Sequence, residues 1–351
     1  MQDILSHLKV IELASVLAGP AVGQFFAELG AEVIKIENAR TRGDVTRSWK
    51  LPTENPDRLD SAYYRSINWG KSPRLLDLRE SKDQKEVHDL VKTADVVISN
   101  FSTAAARKLA MDGPTLRALN SRLIFARLDA FSPDSRRPAY DIVLQAETGF
   151  LSMNGTAAGE LCRMPVALID ILAAHQLKEG VLLALLRRAV TGKGATVTTS
   201  LYHSALASLT NQATNYLIEG HVSHPMGSQH PNIAPYGDIF ELADGARIVL
   251  AIGSNKQFAA FCDLIGLPQV DTFNDNQQRV QQRPALIAYL QQGLGKQTYE
   301  ELALAAEEAR IPVGRIRNMA EVFAVAEAQA QLLSYPNGER AVKTVSFKVE
   351  E

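Results

Sequence analysis

The sequence predicts an α/β protein: a large domain around a mainly parallel sheet, plus a smaller second domain. Three observations carry that expectation. At roughly 150 residues per domain, 351 residues suffice for about two domains and a sizeable core. Hydrophobic residues make up 46% and charged residues 22%, which is globular composition and not that of a disordered or fibrous chain. The N-terminal third alternates strand-like and helix-like segments, the pattern of right-handed βαβ crossovers.

The elements follow in order. Lys9-Val10-Ile11-Glu12-Leu13 reads as the first strand, and Ala18-Gly19-Pro20 opens an apolar-periodic helix through about Leu29. Glu32 to Ile36 is the second strand and Arg74 to Leu78 the third. A helix over Glu86 to Val91 precedes the strand Asp95 to Ile98; another helix leads to the strand Arg122 to Phe125. Ligands of such sheets bind beyond the carboxyl ends of the strands, which points to Ala14–Gly19, Glu37–Asp44 and Asn100–Ser102. Gly19-Pro20 also opens a helix whose free amides suit an anion. No G-x-G-x-x-G, Walker A or G-x-S-x-G motif occurs, so a nicotinamide, P-loop or serine-hydrolase reading has no support. Met164 to Val190 carries helical apolar spacing and is stopped by Thr191-Gly192-Lys193-Gly194. Ala195 to Ser200 is β-like, and a helix from Leu201 to about Glu219 follows. His221 to Pro235, rich in His, Pro, Gly, Ser and Asn, reads as a loop and domain boundary. Ile239–Leu242 and Arg247–Ile252 flank Ala243-Asp244-Gly245 as a hairpin. Helices then dominate from Lys256 to about Arg310, including Arg283 to Leu294, and Val342 to Phe347 is strand-like.

Charge and cysteine usage exclude several classes. Lys and Arg total 37 against 39 Asp and Glu, a net charge of −2 without a long basic block, so no nucleic-acid partner is expected. Cys162 and Cys262, the two cysteines, exclude a disulfide framework and fit a reducing compartment. Met1-Gln2-Asp3-Ile4-Leu5 lacks the regions of a signal peptide. The most apolar run, Val181 to Leu186, falls far short of the about 20 residues of a bilayer span. A cytoplasmic protein with no membrane partner is expected. His221, His224 and His230 lie in the Pro/Gly-rich loop without a carboxylate or cysteine at ligand spacing, which reads as solvated loop and not a metal site. His175, on the apolar helix, reads as a core or interface histidine.

Asp170 is more informative, because it ends the apolar run Pro165-Val166-Ala167-Leu168-Ile169. Two readings stand: a helix-start aspartate capping backbone amides, or a desolvated carboxylate held for nucleophilic or acid–base work. Tyr140, Asp141 and Gln145 form a second polar cluster, whose place after Arg136-Arg137-Pro138 also suits helix capping.

Eleven segments in order then produce a resemblance. They are Val16–Pro20, Ala31–Glu37, Gly43–Arg47, Asn68–Lys71, Leu76–Leu78, Ala94–Phe101, Tyr140–Ala146, the Asp170 segment, Thr191–Gly194, His230–Asn232 and Pro235–Gly237. From about Leu8 to Leu333 the chain resembles the class III coenzyme A transferases, the CaiB/BaiF family that also includes α-methylacyl-CoA racemases. The resemblance implies a Rossmann-like large domain over 1–200 and a linker helix and loop over 201–225. A smaller α+β domain over 226–319 and a return segment over 320–351 complete the chain, in an interlocked homodimer.

In that family the aspartate matching Asp170 is the catalytic carboxylate. It attacks a donor thioester to give an acyl–aspartyl anhydride, then an aspartyl–CoA thioester that an acceptor carboxylate opens. The resemblance implies no metal or redox cofactor; CoA and acyl-CoA enter as substrates beside a small carboxylic acid. Tyr140 and Gln145 are expected to position the thioester or acceptor. Racemases of the family carry a histidine at the place of Tyr140, and a phenol with pKa of about 10 is a poor partner for α-proton transfer. Transfer is therefore expected over the alternatives, an acyl-CoA racemase or epimerase and a non-catalytic CoA-binding homodimer.

The matching segments also imply CoA contacts. Val16 falls near the adenine or ribose, Leu76 and Arg79 around the adenine, and Asn100 and Phe101 beside the pantetheine. Lys108 and Leu109 belong to the same binding set, with Lys108 where many relatives carry an arginine. Asn38 is a further contact position, at the place of an arginine in formyl-CoA transferases, and Leu17 replaces their glutamine. Both changes argue against an oxalate/formyl-CoA pair. Leu128 to Asp134 replaces a glycine-rich approach, Ala174 a glycine, and Met226-Gly227-Ser228-Gln229 a long glycine-rich lid, departures that leave two outcomes open, altered specificity or lost activity. Relatives commonly continue into a further helix packed on the large domain, whereas this sequence stops at Val349-Glu350-Glu351.

Overall fold

The computed structural model describes residues 4–133, 135 and 137–350. Readings that rested on Met1–Asp3, Asp134, Arg136 and Glu351 therefore lie outside the described residues. Six strands build the main sheet: β1 (Lys9–Leu13), β2 (Glu32–Asn38), β3 (Ser72–Leu76), β4 (Val96–Ser99), β5 (Ile124–Asp129) and β6 (Ala195–Ser200). All neighbours are parallel, in the order β3-β2-β1-β4-β5-β6. The order reverses between β1 and β4, so a crevice opens beyond their carboxyl ends. The central strands are buried on both faces, as their near-continuous Val, Ile and Leu demand. One face packs Phe26 and Val22 of the helix Ala18–Glu28 with Ala173, Leu177 and Val181 of the helix Leu168–Thr191. The other packs Val87, Val91 and Leu116 from the helices Ser81–Val91 and Gly113–Leu119.

Several expected boundaries are corrected; the strand expected over Arg122 to Phe125, for one, runs over Ile124–Asp129. The third strand runs over Ser72–Leu76 and not Arg74 to Leu78; it leaves the sheet where the Asp77 amide turns to donate to Asp83 Oδ2 at 2.7 Å. The long helix begins at Leu168 and not Met164, because the Met164 amide donates to Gln145 Oε1 at 2.9 Å and Pro165 disfavours helix in the residue before it. The expected helix from Leu201 to Glu219 is two, Leu201–Ala207 and Thr210–Glu219, the second opening on Thr210 at a φ of +44°.

The chain divides into two compact units: Met1–Phe150 with Arg163–Val222 and Ala330–Glu351, and Leu151–Cys162 with Ser223–Gln329. In the second unit β7 (Tyr236–Glu241), β8 (Arg247–Ala251) and β9 (Val313–Arg315) form an antiparallel sheet. Its core joins Phe240, Ile248 and Leu250 to Phe258, Phe261, Leu286 and Leu290 of the covering helices. In the first unit the returning segment makes the antiparallel pair β10 (Leu332–Ser334) and β11 (Arg340–Val342). The strand expected over Val342 to Phe347 ends at Val342, since the amides of Thr344 and Val345 turn to Glu28 instead.

Candidate active site

The crevice is shaped by the loop leaving β1. Val16 sits at a φ of +73°, a left-handed conformation that a β-branched residue adopts only when its surroundings impose it. The constraints are visible. Asn100, at the end of β4, accepts from the Ser15 amide at 3.2 Å and donates to its carbonyl at 2.9 Å. Asp44 accepts from the Val16 amide at 3.2 Å and from the Thr46 amide and hydroxyl at 3.0 and 2.8 Å. Asp44 is itself held by Glu37, which accepts from its amide at 3.1 Å and from Arg47 Nε at 2.7 Å. Close approach needs Gly19, whose Cβ would lie 2.4 Å from that of Ala14.

Asp170 enters from the opposite side, in the first turn of the helix Leu168–Thr191. That helix has no side-chain cap of its own at Ala167. Asp141 supplies one from a distant segment: its Oδ2 accepts from the amides of Ile169 at 2.6 Å and Asp170 at 3.2 Å. The Gln145 amide group donates to Asp141 Oδ1 at 2.5 Å and its carbonyl accepts from Met164. Burial pushes the Asp170 carboxyl up to about 7, and the neighbouring Asp141 carboxylate adds to the rise. A row of aromatic rings stands nearby. Tyr140, 57% exposed, meets Trp49 edge-on at 6.3 Å between centroids, and Trp49 meets Tyr63 at 5.1 Å. The Tyr63 phenol is pushed up to about 12 by burial and then by Asp170, Asp141 and Asp44, so it stays a proton donor at neutral pH.

Two cavities flank the Ala14–Ala18 loop. The larger, about 390 Å³, lies beyond β1, β2 and β3. The smaller, about 130 Å³, contains Asp170 and Tyr140 with Val16, Leu17 and Leu201. Ser15 lines both.

A family model described as CoA-transferase family III matches residues 5–350. The chain belongs to CoA-transferase family III. It is 34% identical over 336 residues to the succinate–glutarate CoA-transferase of Agrobacterium fabrum, covering 93% of this chain and 83% of that one. It is 30% identical over 326 residues to the succinyl-CoA:glutarate CoA-transferase of Homo sapiens, covering 91% and 73%. Among solved structures, a CAIB/BAIF family protein from Brucella suis shares the fold with a TM-score of 0.86 at 33% identity, covering 100% of this chain and 94% of that one. The general chemistry of the family is CoA transfer.

Within this family III fold the expected site residues divide between the two cavities. Asn38, Leu76, Arg79, Phe101 and Leu109 line the larger one. Val16, Asn100, Tyr140 and Asp170 line the smaller. Gln145, 1% exposed, lines neither: both ends of its amide are engaged below the surface. Lys108 also lines neither, and projects as an exposed cation from the last turn of the helix Thr103–Lys108. Sequence reasoning missed Trp49 and Tyr63 as site residues; Glu37 and Asp44 fell within the expected crevice segment Glu37–Asp44, but without a role of their own. Gly43-Asp44-Val45-Thr46-Arg47 and Asn68-Trp69-Gly70-Lys71 were visible as landmarks, and only the fold shows what they support. Among the described residues no helix is long and apolar enough to cross a membrane.

Proposed function

We propose that this chain transfers CoA from an acyl-CoA thioester to a free carboxylate through covalent intermediates on Asp170. The observation that carries this reading is a carboxylate buried to 7% exposure that nevertheless lines a cavity. Stripped of water, its ionised form is a stronger nucleophile than an exposed aspartate. An Asp170 oxygen adds to the thioester carbonyl; the C–S bond breaks, leaving a mixed anhydride and CoA thiolate. The thiolate then adds to the aspartyl carbonyl, releasing the donor's carboxylate and leaving an aspartyl–CoA thioester. An acceptor carboxylate displaces the thiolate to form a second anhydride. Return of the thiolate to the acceptor's acyl carbon frees Asp170. No oxidant, reductant or net hydrolysis is involved, so the thioester's energy is kept.

The larger cavity suits the nucleotide end of CoA, with Leu76, Leu109 and Phe101 as apolar walls and Arg79 and Asn38 as polar contacts. Lys108 supplies a charge for the phosphates at its rim. Asn100 and Ser15 mark the pantetheine path toward Val16 and Asp170. Tyr140 and Tyr63 are phenol donors for the tetrahedral oxyanions, while Gln145 acts through Asp141. The relatives named for succinate, glutarate and succinyl-CoA favour a short dicarboxylate as donor or acceptor. A homodimer is supported by large exposed apolar side chains on two helices of the first unit, Leu183, Leu186 and Val190, and Tyr216, Leu217 and Ile218. The composition and cysteine usage favour the cytoplasm.

The test incubates the protein with succinyl-CoA and a panel of acyl-CoAs, then traps with hydroxylamine or borohydride. A covalent adduct is expected at Asp170, and Asp170→Ala is expected to cut transfer by about 10³-fold or more. If no donor labels the wild type and Asp170→Ala leaves transfer unchanged, the reading fails.

A further inference from the structure

The Ala14–Ala18 loop rests on four buried charges that the transfer chemistry does not use. Lys35 Nζ donates to Glu12 Oε1 at 2.7 Å and to the Ala14 carbonyl at 2.8 Å, and lies 3.0 Å from Asp44 Oδ2. Lys71 Nζ donates to the Pro20 carbonyl at 2.8 Å and Asn68 Oδ1 at 2.9 Å, and lies 2.8 Å from Glu12 Oε2. Each ammonium thus makes two hydrogen bonds and one further close contact with a carboxylate. All four charged side chains are no more than 1% exposed.

Two cations balance two anions, yet burying such pairs is a poor route to stability, because desolvation consumes much of the Coulombic gain. Burial, with the neighbouring Lys35 charge adding to it, pushes the Lys71 ammonium down to about 7, against the pull of Glu12. A well-packed apolar cluster would hold the fold equally well at this place. What the charges reach is more specific: the Ala14 carbonyl, the Val16 amide (through Asp44) and the Pro20 carbonyl. These are backbone groups of one short segment, the one that carries the left-handed Val16 and contributes Ser15, Val16, Leu17 and Ala18 to the cavity of Asp170.

We propose that Glu12, Lys35, Asp44 and Lys71 form a positioning network that fixes the strained Ala14–Ala18 loop, so that a ligand is seated in register with Asp170. The identity of that ligand rests on the transfer reading above; the rigidity of the loop does not. Glu12 and Lys71 line neither cavity and act only through other groups, which makes them the residues to change.

The experiment compares wild type with Glu12→Gln/Lys71→Met, which removes one charge of each sign together, and with Glu12→Gln alone. In the single variant Lys71 is free to lose its proton, so no charge need remain buried without a partner. Folding is checked by cooperative thermal melts. Hydrogen exchange of the 14–18 amides is expected to quicken by about tenfold or more, with β4 and β5 keeping wild-type protection. The rate of Asp170 adduct formation is expected to fall by about tenfold, while affinity for free CoA stays within about threefold of wild type. A folded variant whose 14–18 amides exchange as slowly as wild type overturns the proposal, whatever its activity. Wild type that forms no Asp170 adduct overturns the transfer reading instead, and the exchange comparison still decides the network.

Discussion

At the scale of single residues, Asp170 combines two opposed environments. A helix N-terminus favours its charge, whereas burial and the Asp141 carboxylate disfavour it, and the outcome is a carboxyl at about 7. In the proposed chemistry the nucleophile is the ionised form, so adduct formation with a saturating donor should rise with pH and level off above about 7. Asp141→Asn keeps an oxygen to accept from the Ile169 and Asp170 amides but removes the negative neighbour. Its limb should move to lower pH, with a stability cost of about 1 kcal/mol from the weakened cap. A limb that stays in place, measured by single-turnover acylation across pH 5 to 9, would remove Asp141 from the account. The opposite sign holds for folding: ionising a buried carboxyl whose proton is favoured in the native state makes stability fall as pH rises from about 4 through 7. Asp170 was legible in the sequence because a lone carboxylate ended an apolar run. Asp141's part was not, since a cap supplied 28 residues upstream leaves no local pattern. Trp49 and Tyr63 were illegible for the same reason: nothing in their local sequence marks them, and only the fold sets Trp49 against both Tyr63 and Tyr140.

At the scale of elements, strands buried on both faces could be read as continuous apolar runs, and the edge strand β6 by its β-branched Thr196–Thr199. Val10-Ile11, Val33-Ile34 and Val96-Val97-Ile98 are continuous apolar runs and fall in β1, β2 and β4. β3 is an edge strand with four of its five residues exposed, so burial gave no pattern to fix its ends. β9, three residues long, carries too little periodicity to be distinguished from loop. The helix Ala18–Glu28 holds a less obvious feature. It is buried at every position and contains Gly23, where helix propensity alone would favour alanine by about 1 kcal/mol. A Cβ at Gly23 would lie 1.9 Å from Glu12 Oε2, so the glycine leaves the room in which the buried carboxylate pairs with Lys35 and Lys71. Gly23→Ala is therefore expected to destabilise by about 1 to 3 kcal/mol in denaturant unfolding despite the propensity gain. A variant more stable than wild type would mean that Glu12 shifts freely, and that the helix does not depend on this close contact.

At the scale of the whole chain, the first unit is closed by residues drawn from opposite ends of the sequence. Glu28, at the end of the helix Ala18–Glu28, accepts from the Thr344 amide at 2.8 Å, its hydroxyl at 3.1 Å and the Val345 amide at 2.9 Å. It also accepts from Gln24 Nε2 at 2.9 Å, so its carboxylate serves four donors and is 9% exposed. Further along, Phe347 rests 6.4 Å from the Phe25 ring, and Arg58 joins the return segment to the unit through Glu339. None of this was legible, because Thr344 and Val345 lie in a segment that reads as an ordinary strand and Glu28 as an ordinary helix charge. The arrangement makes a sharp test of how the return segment is held. Glu28→Gln keeps size and one acceptor oxygen but turns an N–H₂ group toward backbone donors, which cannot be satisfied by it. The expected cost is about 1 to 3 kcal/mol, confined to the end of the return segment: amides from 344 to 349 should exchange faster while β4 and β5 keep their protection. Because the same helix begins at the loop facing Asp170, a loosened C-terminal end need not reach the site. Adduct formation at Asp170 is expected to stay within about twofold of wild type. Faster exchange in the 14–18 loop of Glu28→Gln would show instead that the helix transmits the loss along its length, and that the return segment and the site are energetically one body.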